Sequence, residues 1–212
     1  NGIDLEGLPI FDPRSDAMEE KRNAYSELFF KKRGRKGFNA YEAKKVMKDR
    51  NYFGCMMVEF GDADAMISGL AKNYPDTIRP ALQTIGTEDG VKKIAGMYLM
   101  LTKKGPLFLA DTTVNFNPTA EELADITLMV AKEVRNFNII PRIAMLSYSN
   151  FGSSNSPEAA LVAKARKIVK EKMPTLLVDG EMQASVAFNK ELMKENYPFS
   201  ELADKDVNTL IF

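Results

Sequence analysis

S-G-L-A-K-N-Y-P-D-T-I-R-P-A-L-Q, residues Ser68 to Gln83, is the stretch from which the fold is read. A short apolar run, Ala65-Met66-Ile67, precedes it and reads as a strand. Ser68-Gly69 and a polar loop follow, and Asp76 or Thr77 then opens a helix with Pro80 in its first turn. A strand, a small-residue loop and a helix start together suit an anion, because the first helical N–H groups point outward and the dipole favours negative charge. Arg79, placed in that first turn, adds a fixed cation that forks onto phosphate oxygens. The same pattern fits an ordinary strand-to-helix turn with a surface arginine, so the flanking chain has to decide.

Toward the N-terminus, Leu8-Pro9-Ile10-Phe11 reads as a short strand ended by Asp12-Pro13. Asp16 with Glu19 fits a capping box, and Met18, Tyr25, Leu28 and Phe29 share one helical face. The basic cluster Lys31 to Lys36 closes this helix, where cations suit the dipole. It reads either as a plain helix terminus or as a phosphate clamp. Asn39 with Glu42 makes a second capping box, for a helix to about Arg50. Tyr52, Phe53, Met56, Met57 and Phe60 recur at helical spacing and predict a third helix, stopped by Gly61, with the methionines in the core. Asp62 and Asp64 resemble a metal loop only loosely, with no third carboxylate beside them.

Toward the C-terminus, Thr87-Glu88-Asp89-Gly90 is a polar turn, and composition shifts there. The chain is expected to divide into residues 1–90, a first and incomplete α/β subdomain, and 91–212, a second lacking its last part, with the boundary near residues 87 to 92. Met97 to Leu101 and Pro106 to Ala110, joined by Lys103-Lys104-Gly105, predict a hairpin. Thr119 with Glu122 makes a third capping box, for a helix to about Asn136. Arg142 to Leu146 is a strand followed by the serine-rich loop Ser147 to Ser154. Ser156-Pro157 starts another helix, with proline suited to its first position. Thr175 to Val178 is a strand followed by Asp179-Gly180-Glu181-Met182. A helix from about Gln183, a break at Pro198 and a last strand near Val207 follow. Strands alternating with capped helices predict an α/β protein with a largely parallel sheet.

Composition narrows the function classes. The chain has 212 residues, 45% of them hydrophobic and 27% charged, which is ordinary for a globular protein. Its 29 basic and 29 acidic residues cancel, which argues against a general nucleic-acid binder. With no histidine, a Ser-His-Asp or Cys-His triad and a histidine metal site are excluded within this chain. The one cysteine, Cys55, forms no internal disulfide, fits a reducing, cytoplasmic setting, and reads as a buried, inert thiol among Met56, Met57 and Val58. No apolar stretch approaches the roughly 20 residues that span a bilayer. The chain starts at Asn1-Gly2-Ile3-Asp4 and ends on the apolar Leu210-Ile211-Phe212, so both ends read as cuts in a longer polypeptide.

Four polar loops are expected after four strands: Ser68-Gly69, Asp111-Thr112-Thr113, Ser147 to Ser154, and Asp179-Gly180-Glu181. Ligands of open α/β sheets bind beyond the carboxyl ends of the strands. Neither a Walker loop nor G-x-G-x-x-G is present, so a Rossmann dinucleotide site has no support. Serine-rich loops are often mere linkers, yet several such loops beside Arg79 favour an anionic ligand.

Read together, R-G-R-K-G (Arg33 to Gly37), N-Y-F-G-C-M-M-V-E-F-G-D-A-D-A-M-I-S-G (Asn51 to Gly69), Y-P-D-T-I-R-P-A-L-Q (Tyr74 to Gln83), F-L-A-D-T-T-V-N (Phe108 to Asn115), M-L-S-Y-S-N-F-G-S (Met145 to Ser153) and D-G-E-M-Q (Asp179 to Gln183) resemble the phosphate acetyltransferase family over nearly the whole chain. The S-N-F-G-S variant looks most like the phosphotransacetylase-like C-terminal domain of large bacterial NADP-dependent malic enzymes, where stand-alone acetyltransferases more often carry a T-K-G type sequence. The resemblance implies a three-layer α/β/α fold like that of isocitrate and isopropylmalate dehydrogenases, with two subdomains, a cleft between them, and a homodimer or higher homo-oligomer. It implies acetyl-CoA or CoA and phosphate as ligands, with no nucleic acid or membrane partner. It also implies a site drawn from Arg33, Ser68, Thr77, Arg79, Ser147, Ser149, Asn150, Gly152 and Ser153. The family's catalytic serine and aspartate fall beyond Phe212, so no catalytic residue or metal ligand is named in this chain.

Two readings follow from the resemblance. In one, the chain is part of a regulatory domain that binds acetyl-CoA and inhibits a malic enzyme, whose NADP and divalent metal belong to the parent's other region. In the other, it belongs to an active phosphate acetyltransferase that makes acetyl phosphate and CoA. A dimerisation scaffold that binds no acetyl-CoA is the third and plainest possibility.

Overall fold

The computed structural model describes residues 6–91 and 93–212, so the reading of Asn1-Gly2-Ile3-Asp4 lies outside the described residues. The chain divides into two units, Asn1–Lys92 and Lys93–Phe212.

The first unit carries α1 (Glu19–Arg33), α2 (Ala40–Val46), α3 (Arg50–Phe60) and α4 (Tyr74–Thr84). Asn39 and Glu42 form the reciprocal capping box expected of them, which opens α2; the helix ends at Val46, short of Arg50. Asp49 then caps α3 through the N–H groups of Asn51 and Tyr52, and Gly61, at φ 88°, closes it in the left-handed conformation that suits glycine. Tyr25 and Phe29 of α1, Ala43 and Met47 at α2, and Phe53 and Met56 of α3 make the core, so the Met stripe is packing. Tyr25 sits 5.1 Å from the Phe53 ring, and Phe29 meets Phe38 and Tyr52 edge-on at 4.9 and 5.7 Å. Cys55 is buried, and burial pushes its thiol pKa up, away from nucleophilic use.

Expectations also fail in this unit before α4. Asp16 and Glu19 do not form a capping box. Ser15 turns back onto the carbonyl of Asp12, a 3-10 turn occupies Asp16–Met18, and Glu19 becomes the first α-helical residue instead of the third. Neither Leu8-Pro9-Ile10-Phe11 nor Ala65-Met66-Ile67 is a strand. Among the described residues of this unit there is no strand to pair with either, and an extended segment without a ladder leaves its backbone groups to water. Ile10 and Ile67 are accordingly 77% and 99% exposed.

The second unit is built on one sheet. In chain order come β1 (Met97–Thr102), β2 (Gly105–Ala110), α5 (Ala120–Asn136), β3 (Arg142–Leu146), α6 (Pro157–Lys172), β4 (Leu177–Met182), α7 (Ala184–Ala187), α8 (Lys190–Asn196) and β5 (Thr209–Ile211). The strand order is β1-β2-β5-β3-β4; β1 and β2 form the expected hairpin, and every other pairing is parallel. Alternation along the strands, interrupted in β4 where its register with β3 shifts after Gly180, sorts the side chains onto two faces. Phe108, Ile143, Met145, Val178 and Ile211 pack with Leu123, Ile126, Val130 and Val134 of α5 and Val169 of α6. Ala144, Met182 and Leu210 pack on the other face with Val186, Ala187 and Met193. A mostly parallel sheet covered by helices on both faces is the α/β architecture expected from sequence. Thr119 and Glu122 form their capping box on α5, and Ser156 caps α6 with Pro157 in its first turn.

One expectation is corrected here. Asp179-Gly180-Glu181 is not a loop but the body of β4, paired in parallel with β3. Gly180 lies at φ 145° against Met145, where a Cβ would stand 2.5 Å from the Met145 carbonyl oxygen, so only glycine lets the two strands approach.

Candidate functional site

The expected site residues fall into two groups, one in each unit. In the first, Arg79 lines a cleft of about 380 Å³ with Asp49, Tyr52, Lys72, Asn73 and Asp76. The helix carrying it starts earlier than the sequence reading places it. Asn73 caps α4 by accepting from the N–H of Asp76, Pro75 sits in the first turn, and Arg79 therefore lies in the second turn. Pro80 lies inside the helix, not in its first turn. A proline has no N–H to give the carbonyl four residues back, which is that of Asp76. The side-chain amide of Asn51 supplies the missing donor at 3.3 Å, and the oxygen of the same side chain accepts from the Ser68 hydroxyl at 2.8 Å. The loop at Ser68 is thereby tied to the helix that carries Arg79.

The hydroxyl protons of Ser68 and Thr77 are both committed inside the protein, to Asn51 and to the carbonyl of Asn73. Neither residue lines the cleft, whose cations are Lys72 and Arg79. Arg79 is exposed and touches Asp76 at 3.5 Å, a loose i, i+3 pair. Arg33 ends α1 and is half-buried; its Nε is buried with no hydrogen-bond partner among the described residues. Arg79 lines the cleft beside Tyr52, and Arg33 does not line it. Burial pushes the pKa of the Tyr52 hydroxyl up, Arg79 and Arg33 oppose the rise, and Asp49 adds to it. The rest of the basic cluster is a helix terminus, with Lys32 held by Glu59 and by the Thr84 carbonyl. Asp62 is occupied by Tyr25 and Lys21, and among the described residues no group of three or more His, Cys, Asp or Glu is placed to hold a metal ion.

In the second unit, Ser147, Ser149, Asn150, Gly152 and Ser153 lie in one loop at the carboxyl end of β3. Phe151 and Gly152 turn it through φ 47° and 85°. The Phe151 ring is seated 4.8 Å from Tyr197 and 5.2 Å from Phe199. Sequence reasoning missed the residue that shapes this loop. Glu181 is 3% exposed, and its Oε1 accepts from the Ser149 hydroxyl at 3.0 Å and from the Gly152 N–H at 2.6 Å. Ser149, only 1% exposed, also accepts from the Ser154 N–H, and Ser153 accepts from the N–H of Asn150. Asn150 accepts from the Gln183 N–H at 2.8 Å. Ser149, Asn150 and Ser153 are therefore builders of the loop. Ser147 accepts from the Ser149 N–H, and among the described residues nothing takes its hydroxyl proton, so it remains a donor at the strand end.

Other polar anchors in this unit were also read as loop chemistry. Asp111 accepts from the N–H groups of Thr113, Val114 and Asn115 and from the Asn115 side chain. Burial alone would raise its pKa, but these donors outweigh it and hold the carboxyl below its ordinary value. Asp179 accepts from the Ser200 hydroxyl at 2.7 Å and faces Arg166 Nε at 3.2 Å, an ion pair without hydrogen-bond alignment.

The comparisons with known proteins agree with this architecture. The chain matches the family described as Phosphate acetyl/butaryl transferase over residues 1–212. It is 41% identical over 212 residues to a phosphate acetyltransferase of Bacillus subtilis, covering 99% of this chain and 64% of that protein. It is 40% identical over 213 residues to an NADP-dependent malic enzyme of Haemophilus influenzae, covering 100% of this chain and 27% of that protein. Among solved structures, EutD phosphotransacetylase from Staphylococcus aureus superposes with a TM-score of 0.83 at 29% identity, over 99% of this chain and 63% of that one. A phosphotransacetylase from Streptococcus pyogenes gives 0.78 at 36% identity, over 95% and 60%. The chain thus spans less than two thirds of the length of these relatives.

Proposed function

Because this chain belongs to the Phosphate acetyl/butaryl transferase family, we propose that it is a phosphotransacetylase-like domain that binds acetyl-CoA and phosphate. We further propose that it serves as the regulatory part of an NADP-dependent malic enzyme. The observation that carries the ligand class is Arg79, set on a cleft of about 380 Å³ beside Lys72 and Tyr52. Acetyl-CoA and phosphate are anions, and guanidinium forks are their natural partners. Ser147, at the strand end of the second unit, suits the oxygens of an acyl or phosphoryl group.

The match to the Haemophilus influenzae malic enzyme along the whole chain, with the Asn150-Phe151-Gly152 loop, supports the regulatory role. NADP and a divalent metal would be held by the parent's other region. Acetyl-CoA would inhibit the parent by binding one global state more tightly than another, since a ligand shifts an equilibrium only by its differential affinity. The comparable match to the Bacillus subtilis acetyltransferase supports a second reading, an active transferase that converts acetyl-CoA and phosphate to acetyl phosphate and CoA. Deprotonating a coenzyme thiol near neutral pH takes a base, and no residue of this chain is assigned that role.

The test is calorimetric titration with acetyl-CoA, followed by a phosphate-dependent thiol-release assay on the same sample. Binding without release supports the regulatory reading. Binding with release supports the transferase. No binding contradicts both and leaves a scaffold.

A further inference from the structure

Lys72 lines the Arg79 cleft, and the reading of the sequence gave it no role. Its ammonium lies 2.5 Å from Asp49 Oδ2. That carboxylate has partners besides the lysine. Its other oxygen caps α3 through the N–H groups of Asn51 and Tyr52 at 2.9 and 3.3 Å. Both partners of the pair are partly exposed, with side chains 38% and 36% accessible, and such a pair holds its lysine weakly. The flexible stem of a lysine lets the ammonium move while the capped carboxylate stays in place. Arg79 is in the same condition, paired loosely with Asp76 at 3.5 Å. The cleft itself is lined by two cations, Lys72 and Arg79, and two carboxylates, Asp49 and Asp76, and each cation is held by a loose, partly exposed pair that an incoming anion can open.

We propose that Lys72 is a second ligand-binding cation of this cleft, exchanging Asp49 for the phosphate oxygens of the bound anion. The inference rests on the anion-binding reading above and adds to it a residue and a motion. An ammonium acts as a point charge, so arginine at this position keeps the function, whereas an uncharged side chain of similar length removes it.

The experiment titrates acetyl-CoA, and separately inorganic phosphate, into the wild-type chain, Lys72→Met, Lys72→Arg and Arg79→Ala, with a thermal melt of each. Lys72→Met is expected to melt like wild type and to bind both anions at least about tenfold more weakly, while Lys72→Arg stays within about threefold. Wild-type affinity in Lys72→Met beside lost affinity in Arg79→Ala overturns the role of Lys72 and leaves the cleft reading intact. Absence of binding by the wild-type chain overturns both.

Discussion

The backbone N–H of Gly152 points at the carboxylate of Glu181 and donates to its Oε1 at 2.6 Å, the same oxygen that accepts from the Ser149 hydroxyl at 3.0 Å. One buried oxygen, delivered by β4, thus sets the path of the loop that follows β3. Removing it takes this acceptor from the buried Ser149 hydroxyl and from the Gly152 N–H that fixes the turn. Glu181→Ala is expected to cost about 2–4 kcal/mol, and Glu181→Gln, which keeps a carbonyl acceptor, distinctly less. Urea denaturation measures both. Limited proteolysis should then show cleavage between Ser147 and Ser154 in the alanine variant alone.

The Asn51 side chain substitutes for the donor that Pro80 lacks. Asn51→Ala should therefore destabilise the first unit by roughly 1 kcal/mol, by removing the donor to the Asp76 carbonyl and the acceptor of the Ser68 hydroxyl. In a Pro80→Ala background a helical N–H becomes available to that carbonyl, and the penalty of Asn51→Ala should shrink. A double-mutant cycle in urea reads this coupling; additive penalties would mean that the Asn51 contact does not serve the carbonyl.

Gly180 leaves no room for a side chain against the Met145 carbonyl and sits at φ 145°. Gly180→Ala should cost roughly 2–4 kcal/mol and perturb the pairing of β3 with β4. Circular dichroism melts, with amide exchange at Met145 and Leu146, would show it.

Asp111 gives the second unit an acid-sensitive anchor. Its folded pKa lies below the ordinary 3.8 because four donated hydrogen bonds outweigh burial. A depressed folded pKa contributes stability that is fully present above 3.8 and is lost as pH falls through the folded value. Urea midpoints measured from about pH 6 down to about pH 2 should fall more steeply for wild type than for Asp111→Asn below the carboxylate range. Parallel curves would contradict this role.

What the sequence revealed was mostly local chemistry. The boxes Asn39–Glu42 and Thr119–Glu122, the stop at Gly61 and the hairpin at Lys103-Lys104-Gly105 each depend on neighbours a few residues apart, and each forms. Asp16–Glu19 has the same spacing but fails, because the turn at Asp12 claims Ser15 first. Apolar character alone made Ala65-Met66-Ile67 look like a strand, though a strand is defined by a partner the local sequence does not contain. Glu181 was hidden for a related reason: its role depends on the pairing of β3 with β4, which brings it to Gly152 across 29 positions of chain. Asn51 and Lys72 were hidden likewise, since their partners Asp76 and Asp49 are 25 and 23 positions away.

If the Arg79 cleft holds the phosphate-bearing ligand, removing the guanidinium must weaken its binding. Acetyl-CoA affinity is compared by calorimetry between the wild-type chain and Arg79→Ala, with matched thermal melts. Saturable binding by the wild type that weakens at least about tenfold in the variant is the predicted result. Equal affinities in the two proteins, or no binding by the wild type, would contradict the claim.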